Sequence, residues 1–127
     1  MKKAHVLVVD DEEDIRFLLR RILEKANYGV SEAENAQKAL KLLSENKFDL
    51  ILLDVMMPDM DGVELSRKIR EDEKLKNIPI IMLTVMSATE DKEWGFDYGL
   101  CNAYVTKPII RNMLLNTIKW VLENAKK

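Results

Sequence analysis

Residues 48–62 read FDLILLDVMMPDMDG, and how this stretch is read decides the fold. Leu50-Ile51-Leu52-Leu53 is an unbroken apolar run without polar alternation. That is the pattern of a strand covered on both faces, as in a parallel sheet packed between helices. The run ends in Asp54, and Pro58 and Gly62 follow with Asp59 and Asp61 between them. A carboxylate where a core strand stops needs company, and the flanking segments show where it could come from.

Upstream, Val6 to Val9 reads as a first strand ending in Asp10-Asp11. From Glu12 to Ala26, Ile15, Leu18, Leu19, Ile22 and Leu23 recur at three- and four-residue steps, the mark of an amphipathic helix. Asn27-Tyr28-Gly29 is a helix stop. Val30 to Ala33 is a weaker second strand. Asn35 can cap a second helix running to about Asn46, with Ala36, Ala39, Leu40 and Leu43 on one face.

Downstream, Val63, Leu65 and Ile69 predict a short third helix, followed by the charged stretch from Arg70 to Asn77. Pro79 leads into a fourth strand, Ile80 to Leu83, ending in Thr84. Ala88 to Tyr98 is the poorest helix candidate, because it holds Gly95 and meets Gly99. Ala103 to Val105 is a short fifth strand before Lys107-Pro108. A last helix is expected from about Arg111 to Ala125, with Leu114, Ile118 and Val121 inward.

Five β-α units in order imply a parallel sheet with helices on both faces. At this size the choice lies between the flavodoxin-like strand order 2-1-3-4-5 and a half-Rossmann arrangement. With 127 residues the chain is long enough for one core and too short for two. A single domain over 1–127 is therefore expected, with no output domain attached.

The formal net charge of −2 creates no basic field that would call for nucleic acid or anionic lipid. One cysteine, Cys101, excludes an internal disulfide and fits a reducing compartment. The apolar run after Met1-Lys2-Lys3 is too short for a signal peptide, and no run approaches a membrane span. A cytoplasmic, soluble protein is expected.

In open α/β sheets, ligands bind beyond the carboxyl ends of the strands, at the switch in strand order. The residues at those ends are Asp10 and Asp11 after strand one, Asp54 after three, Thr84 after four and Lys107 after five. In the order 2-1-3-4-5 they converge on one cleft, where Asp54 is expected to be presented rather than buried. Like-charged pairs at ~4 Å and an effective dielectric near 20 cost on the order of 4 kcal/mol each. Lys107 offsets part of that, and a hard divalent cation such as Mg²⁺ suits the remaining oxygens. Metal, lysine, hydroxyl and a lone carboxylate together suit phosphoryl handling, with Asp54 placed to attack phosphorus.

At these residues the sequence resembles the response-regulator receiver domain of two-component signalling, in its single-domain, chemotaxis-regulator-like form. The resemblance covers essentially the whole chain. It rests on Val8-Val9-Asp10-Asp11-Glu12, on Asp54 followed by Met57-Pro58-Asp59-Met60-Asp61-Gly62, on Leu83-Thr84, and on Tyr104-Val105-Thr106-Lys107-Pro108. It implies strand order 2-1-3-4-5 and makes Asp54 the phosphoacceptor. It assigns Asp11 to the metal directly, Asp10 through water, and the Met56 carbonyl as a further ligand beside Asp54. Thr84 and Lys107 would grip the phosphoryl oxygens, Tyr104 would be an aromatic switch, and Lys107-Pro108 is a candidate cis bond.

The implied partners are a histidine kinase or histidine phosphotransfer protein as donor, and a downstream protein target. The target would meet the face made by the helix candidate after strand four, strand five and the last helix. Nucleic acid and membrane would not be contacted directly, and the protein would be a monomer or a phosphorylation-dependent dimer. It would not be an enzyme beyond its own phosphoryl uptake and slow autodephosphorylation. Three features depart from the usual pattern. Val85 follows the threonine where a small residue is usual. Gly99-Leu100-Cys101-Asn102-Ala103-Tyr104 is one residue longer than usual. Met56 and Met86 stand two residues beyond Asp54 and Thr84, and neither can orient water, which predicts a sheltered, long-lived acyl phosphate.

Each residue also has an ordinary reading. Asp10 to Asp14 could cap the first helix and favour its positive end. Asp54 could begin a turn, Lys107 could be a solvated lysine before Pro108, and Tyr104 an edge aromatic. His5 is read as surface, Cys101 as an inert loop thiol, and Trp94 and Trp120 as packing residues.

Three rival functions remain in view. An aspartyl-phosphate hydrolase of the haloacid-dehalogenase type would need a second acid at the position of Met56. A nucleotide or flavin binder would want a Gly- or Ser/Thr-rich turn after strand one, where Asp-Asp-Glu-Glu-Asp stands. The last is a receiver-like docking module that is never phosphorylated.

Overall fold

The computed structural model describes residues 3–57, 60–85 and 100–125. Five strands form one parallel sheet: β1 (His5–Val9), β2 (Gly29–Ala33), β3 (Leu50–Asp54), β4 (Ile80–Val85) and β5 (Ala103–Lys107). Their order is β2-β1-β3-β4-β5, which decides between the two arrangements left open by the apolar runs. The helices are α1 (Glu13–Lys25), α2 (Ala36–Glu45), α3 (Gly62–Glu71) and a C-terminal helix, Arg111–Asn124. The helix candidate at Ala88 to Tyr98 lies outside the described residues.

Alternation along each strand sorts the core into two layers. Leu7, Val9, Ile51, Leu53, Ile80 and Met82 pack with Ala36, Ala39 and Leu43 of α2 and Leu65 and Ile69 of α3. Val6, Val8, Leu50, Leu52, Ile81, Leu83 and Val105 pack with Leu19, Ile22 and Leu23 of α1 and Leu114, Ile118 and Val121 of the C-terminal helix. The central strand Leu50–Asp54 is buried at every residue, which is why it reads as a continuous apolar run. Truncating one of these leucines to alanine would cost about 2–5 kcal/mol, because a close-packed layer relaxes only in part.

Turn chemistry follows the sequence closely. The Asn35 side chain accepts from the Lys38 N–H, and the Asp61 side chain from the Glu64 N–H. Asn27, with φ 71°, stops α1 in the left-handed region that Asn tolerates. Two expectations shift. Leu18 is 40% exposed, because it falls at the edge of the α1 stripe rather than within it. The fifth strand runs two residues beyond Val105, since Thr106 and Lys107 continue the ladder opposite Thr84 and Val85.

Among the described residues α2 and α3 lie on one face and α1 and the C-terminal helix on the other, so the winding reverses between β1 and β3. The crevice beyond their carboxyl ends is therefore where a ligand would be expected. Asp10 and Asp54 stand on its two sides.

Candidate functional site

Asp10 directly follows β1, Asp54 ends β3, Thr84 is the penultimate residue of β4, and Lys107 ends β5. Lys107 Nζ lies 3.0 Å from Asp10 Oδ2, 3.5 Å from Asp54 Oδ1 and 3.7 Å from Glu12 Oε1. One ammonium thus faces carboxylates from two strand ends and the turn after β1. The Lys107-Pro108 peptide bond is cis, as the resemblance implied.

Asp10 and Asp54 are both buried, at 0% and 3% exposure. The expectation that Asp54 would be presented rather than buried is therefore corrected. It ends the strand, but Lys107 and the Val55–Met57 turn close around it, and the Met56 N–H donates to its Oδ1 at 3.2 Å. Burial, followed by the negative charge of Asp10, raises the Asp54 carboxyl to about 7, against the opposing effects of Lys107 and the Met56 N–H. For Lys107 burial favours the neutral amine, but the hydrogen bond and charge of Asp10, with Asp54 and Glu12, outweigh it and raise its pKa.

Asp11 is exposed at the mouth of the same cluster. Carboxylate oxygens of Asp10, Asp11 and Glu12 lie within 4.8 Å of one another. An all-oxygen donor set, beside a point where the fold already holds a positive charge, fits a hard divalent cation. Glu12 belongs to this cluster although its sequence reading was as a capping residue. It occupies the cap position of α1 without a side-chain cap bond, and its N–H instead donates to Asp10 Oδ1 at 2.9 Å. The acids of the first turn proper are Glu13 and Asp14, so capping and cation-holding divide along this segment.

Thr84 is buried, and among the described residues its hydroxyl makes a long 3.5 Å contact to the Val85 carbonyl. A hydroxyl at this strand end can donate to an oxygen in the crevice. Val85, immediately after it, is 42% exposed, and Met56 is 68% exposed. Tyr104 is half-buried on β5, opposite Met82, and packs on the α2–α3 side of the core. The candidate face after β4 includes residues 86–99, which lie outside the described residues, as does Met86.

Elsewhere, the ordinary readings divide. Cys101 is buried in the core, and burial pushes its thiol up to about 11, which leaves it unreactive. His5 is half-buried rather than surface, with Nε2 2.8 Å from Ser31 Oγ and its ring against Phe48. Trp120, read as a packing residue, is 56% exposed, and Trp94 lies outside the described residues. Among the described residues, no helix is long and apolar enough to cross a membrane.

One contact beside the site has no signal in local sequence. Arg16 Nη1 donates to the Asp10 carbonyl at 2.7 Å, across six residues, while its Nε donates to Glu32 Oε1 on β2 at 3.3 Å. The amphipathic period places Arg16 on the polar side of α1 and says nothing of what it reaches.

Comparison with known proteins agrees with this geometry. The transcriptional regulatory protein ResD of Bacillus subtilis is 43% identical over 97% of this chain and 50% of its own length. The phosphate regulon transcriptional regulatory protein PhoB of Pseudomonas aeruginosa is 43% identical over 94% of this chain and 52% of its own. The chain thus spans about half the length of these two regulators. Among solved structures, the chemotaxis protein CheY4 of Vibrio cholerae superposes with a TM-score of 0.86 at 36% identity, covering 93% of this chain and 98% of that one. The response regulator receiver domain describes residues 6–119. That span runs from the second residue of β1 through the other four strands and takes in the acidic pocket of Asp10, Asp54 and Lys107, and the chain belongs to the response regulator receiver family, whose domains take phosphoryl groups from histidine kinases.

Proposed function

We propose that Asp54 accepts a phosphoryl group from a histidine kinase or a histidine phosphotransfer protein, with Mg²⁺ held by Asp10, Asp11, Asp54 and the Met56 carbonyl. The observation that carries this reading is the single ammonium of Lys107 between the buried carboxylates of Asp10 and Asp54. A structural lysine before a helix would have no cause to bridge two strand ends.

In the transfer, an ionised Asp54 oxygen forms a bond to phosphorus as the bond from phosphorus to the donor imidazole nitrogen breaks. The electron pair of the broken bond stays on that nitrogen. Lys107 neutralises charge on the phosphoryl oxygens, and Thr84 donates a hydrogen bond to one of them. Lys107 also favours the ionised form of Asp54, against burial and Asp10, which favour the neutral acid. When bound, the metal supplies positive charge to the acid cluster and the phosphoryl oxygens.

No second acid stands two residues beyond Asp54, where a hydrolase would use one to protonate a leaving group; Met56 is there. The aspartyl phosphate is therefore a stored state rather than a turnover intermediate, and the chain is not an enzyme on a separate substrate. Thr84 and Tyr104 then bias the face that includes β5 and the C-terminal helix toward a downstream protein, as a monomer or a phosphorylation-dependent dimer. Direct contact with nucleic acid or membrane is no part of this role.

The test is treatment with acetyl phosphate and Mg²⁺, followed by intact mass and hydroxylamine. A labile adduct that disappears in Asp54→Asn and in EDTA is expected. A second reading, a docking module that is never phosphorylated, draws on the burial of Asp54 and on exposed Val85 beside Thr84. A wild-type protein that takes up no phosphoryl group while still binding a partner would favour it.

A further inference from the structure

Asp10 is engaged through its N–H, its carbonyl and both carboxylate oxygens. Its N–H donates to the Ala33 carbonyl at 3.2 Å, Oδ1 accepts from the Glu12 N–H, and Oδ2 accepts from Lys107. Its carbonyl accepts from Arg16 Nη1. That carbonyl belongs to the peptide joining Asp10 to Asp11, so the Arg16 bond fixes the plane from which the Asp11 side chain departs.

Arg16 is itself held. Its side chain is 13% exposed, and its Nε is aimed by Glu32, which sits on β2 opposite Val8. The second Glu32 oxygen accepts from Arg20 Nε at 2.5 Å, so the carboxylate that aims Arg16 is clamped in turn. The guanidinium spans from the neighbouring strand to the acidic turn, and its planar fork serves both acceptors at once.

We infer that Arg16, aimed by Glu32, is a positioning residue for the cation site, holding the Asp10–Asp11 peptide so that the two acids stay gathered. This rests on the proposed Mg²⁺-dependent phosphorylation of Asp54. Neighbouring carboxylates repel, and a turn free to rotate would splay them apart before any ion arrived. Outer partners that orient metal ligands typically change affinity by about 10–100-fold when removed. The effect also has a distinguishing sign. Arg16 is a cation near the site, so a purely electrostatic role would make its removal tighten Mg²⁺ binding, whereas a positioning role weakens it.

The experiment titrates Mg²⁺ calorimetrically into the wild-type chain, Arg16→Met, Arg16→Lys and Glu32→Gln, with melting in EDTA as the fold control. Arg16→Met should raise the Mg²⁺ Kd about tenfold. Arg16→Lys keeps the charge but lacks the fork, so it should also raise the Kd, with no relief from a lost positive charge. Glu32→Gln should shift in the same direction. In acetyl phosphate uptake, the half-saturating Mg²⁺ concentration should rise by the same factor, while the maximal rate at saturating Mg²⁺ stays close to wild type.

A folded Arg16→Met with an unchanged or lower Kd overturns the inference, as does a lost maximal rate with unchanged half-saturation. Should Arg16→Met fail to fold, Arg16→Lys and Glu32→Gln decide alone, and a wild-type Kd in both overturns it. A wild-type chain that takes up no Mg²⁺ removes the phosphorylation reading and this inference together. The wild-type titration therefore separates the two failures.

Discussion

Gly62 is pressed against Asp54. A Cβ added at Gly62 would overlap the Asp54 carbonyl oxygen and approach Val55 Cα to 2.9 Å, both of them backbone atoms that cannot swing aside. The Gly62 N–H also donates to the Val55 carbonyl at 2.8 Å. The first residue of α3 therefore rests on the very peptide that presents the candidate phosphoacceptor.

Gly62→Ala must push α3 away from β3 or shift the Asp54–Val55 backbone. The expected cost is about 1–3 kcal/mol in urea unfolding, the range for forcing extra volume into a packed site. Phosphoryl uptake from acetyl phosphate should fall by more than the unfolded fraction explains, because the surviving native state carries a displaced Asp54. Full uptake per folded molecule would show that the close approach is only packing.

The Asp54 carboxyl at about 7 makes stability depend on pH in a defined direction. Unfolded, this acid titrates near 3.8, so between about pH 4 and pH 7 the folded protein holds a proton that the unfolded chain has released. Without metal, stability therefore falls as pH rises through that window, and the penalty is complete above the folded pKa. Asp54→Asn removes it and should be more stable than wild type at pH 8 in EDTA, by on the order of 2–4 kcal/mol. The difference should vanish near pH 4. Chemical denaturation at the two pH values measures both numbers.

The same electrostatics assign a sign to Lys107. Lys107→Met leaves the buried Asp10 and Asp54 carboxylates without their shared cation, and breaking such a buried arrangement costs about 3–5 kcal/mol. Added Mg²⁺ should then raise the melting temperature of Lys107→Met more than that of the wild type, since the variant has no resident ammonium to compete. Phosphoryl uptake should drop even at saturating Mg²⁺, because charge on the transferring oxygens loses its lysine. A smaller Mg²⁺ shift in the variant than in wild type would count against a shared site.

Much of this architecture was legible because it depends on short-range pattern. Unbroken apolar runs mark covered parallel strands, and the residues that end them are brought together by the strand order whatever the loops do. Asp10, Asp54, Thr84 and Lys107 needed no more than that. What could not be read depends on contacts between segments distant in sequence. The burial of Asp54 is set by Lys107, 53 residues away along the chain. The extension of β5 to Lys107 depends on its ladder with β4. Leu18 shows the limit of periodicity, which locates a stripe but not its edge. Arg16 reads as a solvated helix residue until Glu32 and the Asp10 carbonyl are placed beside it.

Arg70 belongs to the same class, and carries the last prediction. In sequence it opens a charged stretch; in the fold its Nη1 donates to the carbonyls of Lys76 at 2.9 Å and Ile78 at 2.7 Å. Its Nη2 donates to Asn102 Oδ1 at 3.1 Å, and that oxygen also accepts from the Ile80 N–H. The guanidinium thus ties the end of α3 to the starts of β4 and β5, at the edge of the sheet opposite the acidic crevice. Burial lowers its pKa, but from so high a value that it stays charged across the physiological range. Arg70→Met would leave the part-buried Ile78 carbonyl without this donor, at about 1–3 kcal/mol, whereas the Lys76 carbonyl faces solvent and Asn102 Oδ1 keeps the Ile80 N–H. The loss should appear wholly in unfolding free energy, with Mg²⁺ affinity and phosphoryl uptake per folded molecule unchanged. Arg16→Met is expected to weaken Mg²⁺ binding whatever it costs in stability, and measuring the two variants side by side separates the residue that holds the fold from the residue that holds the site.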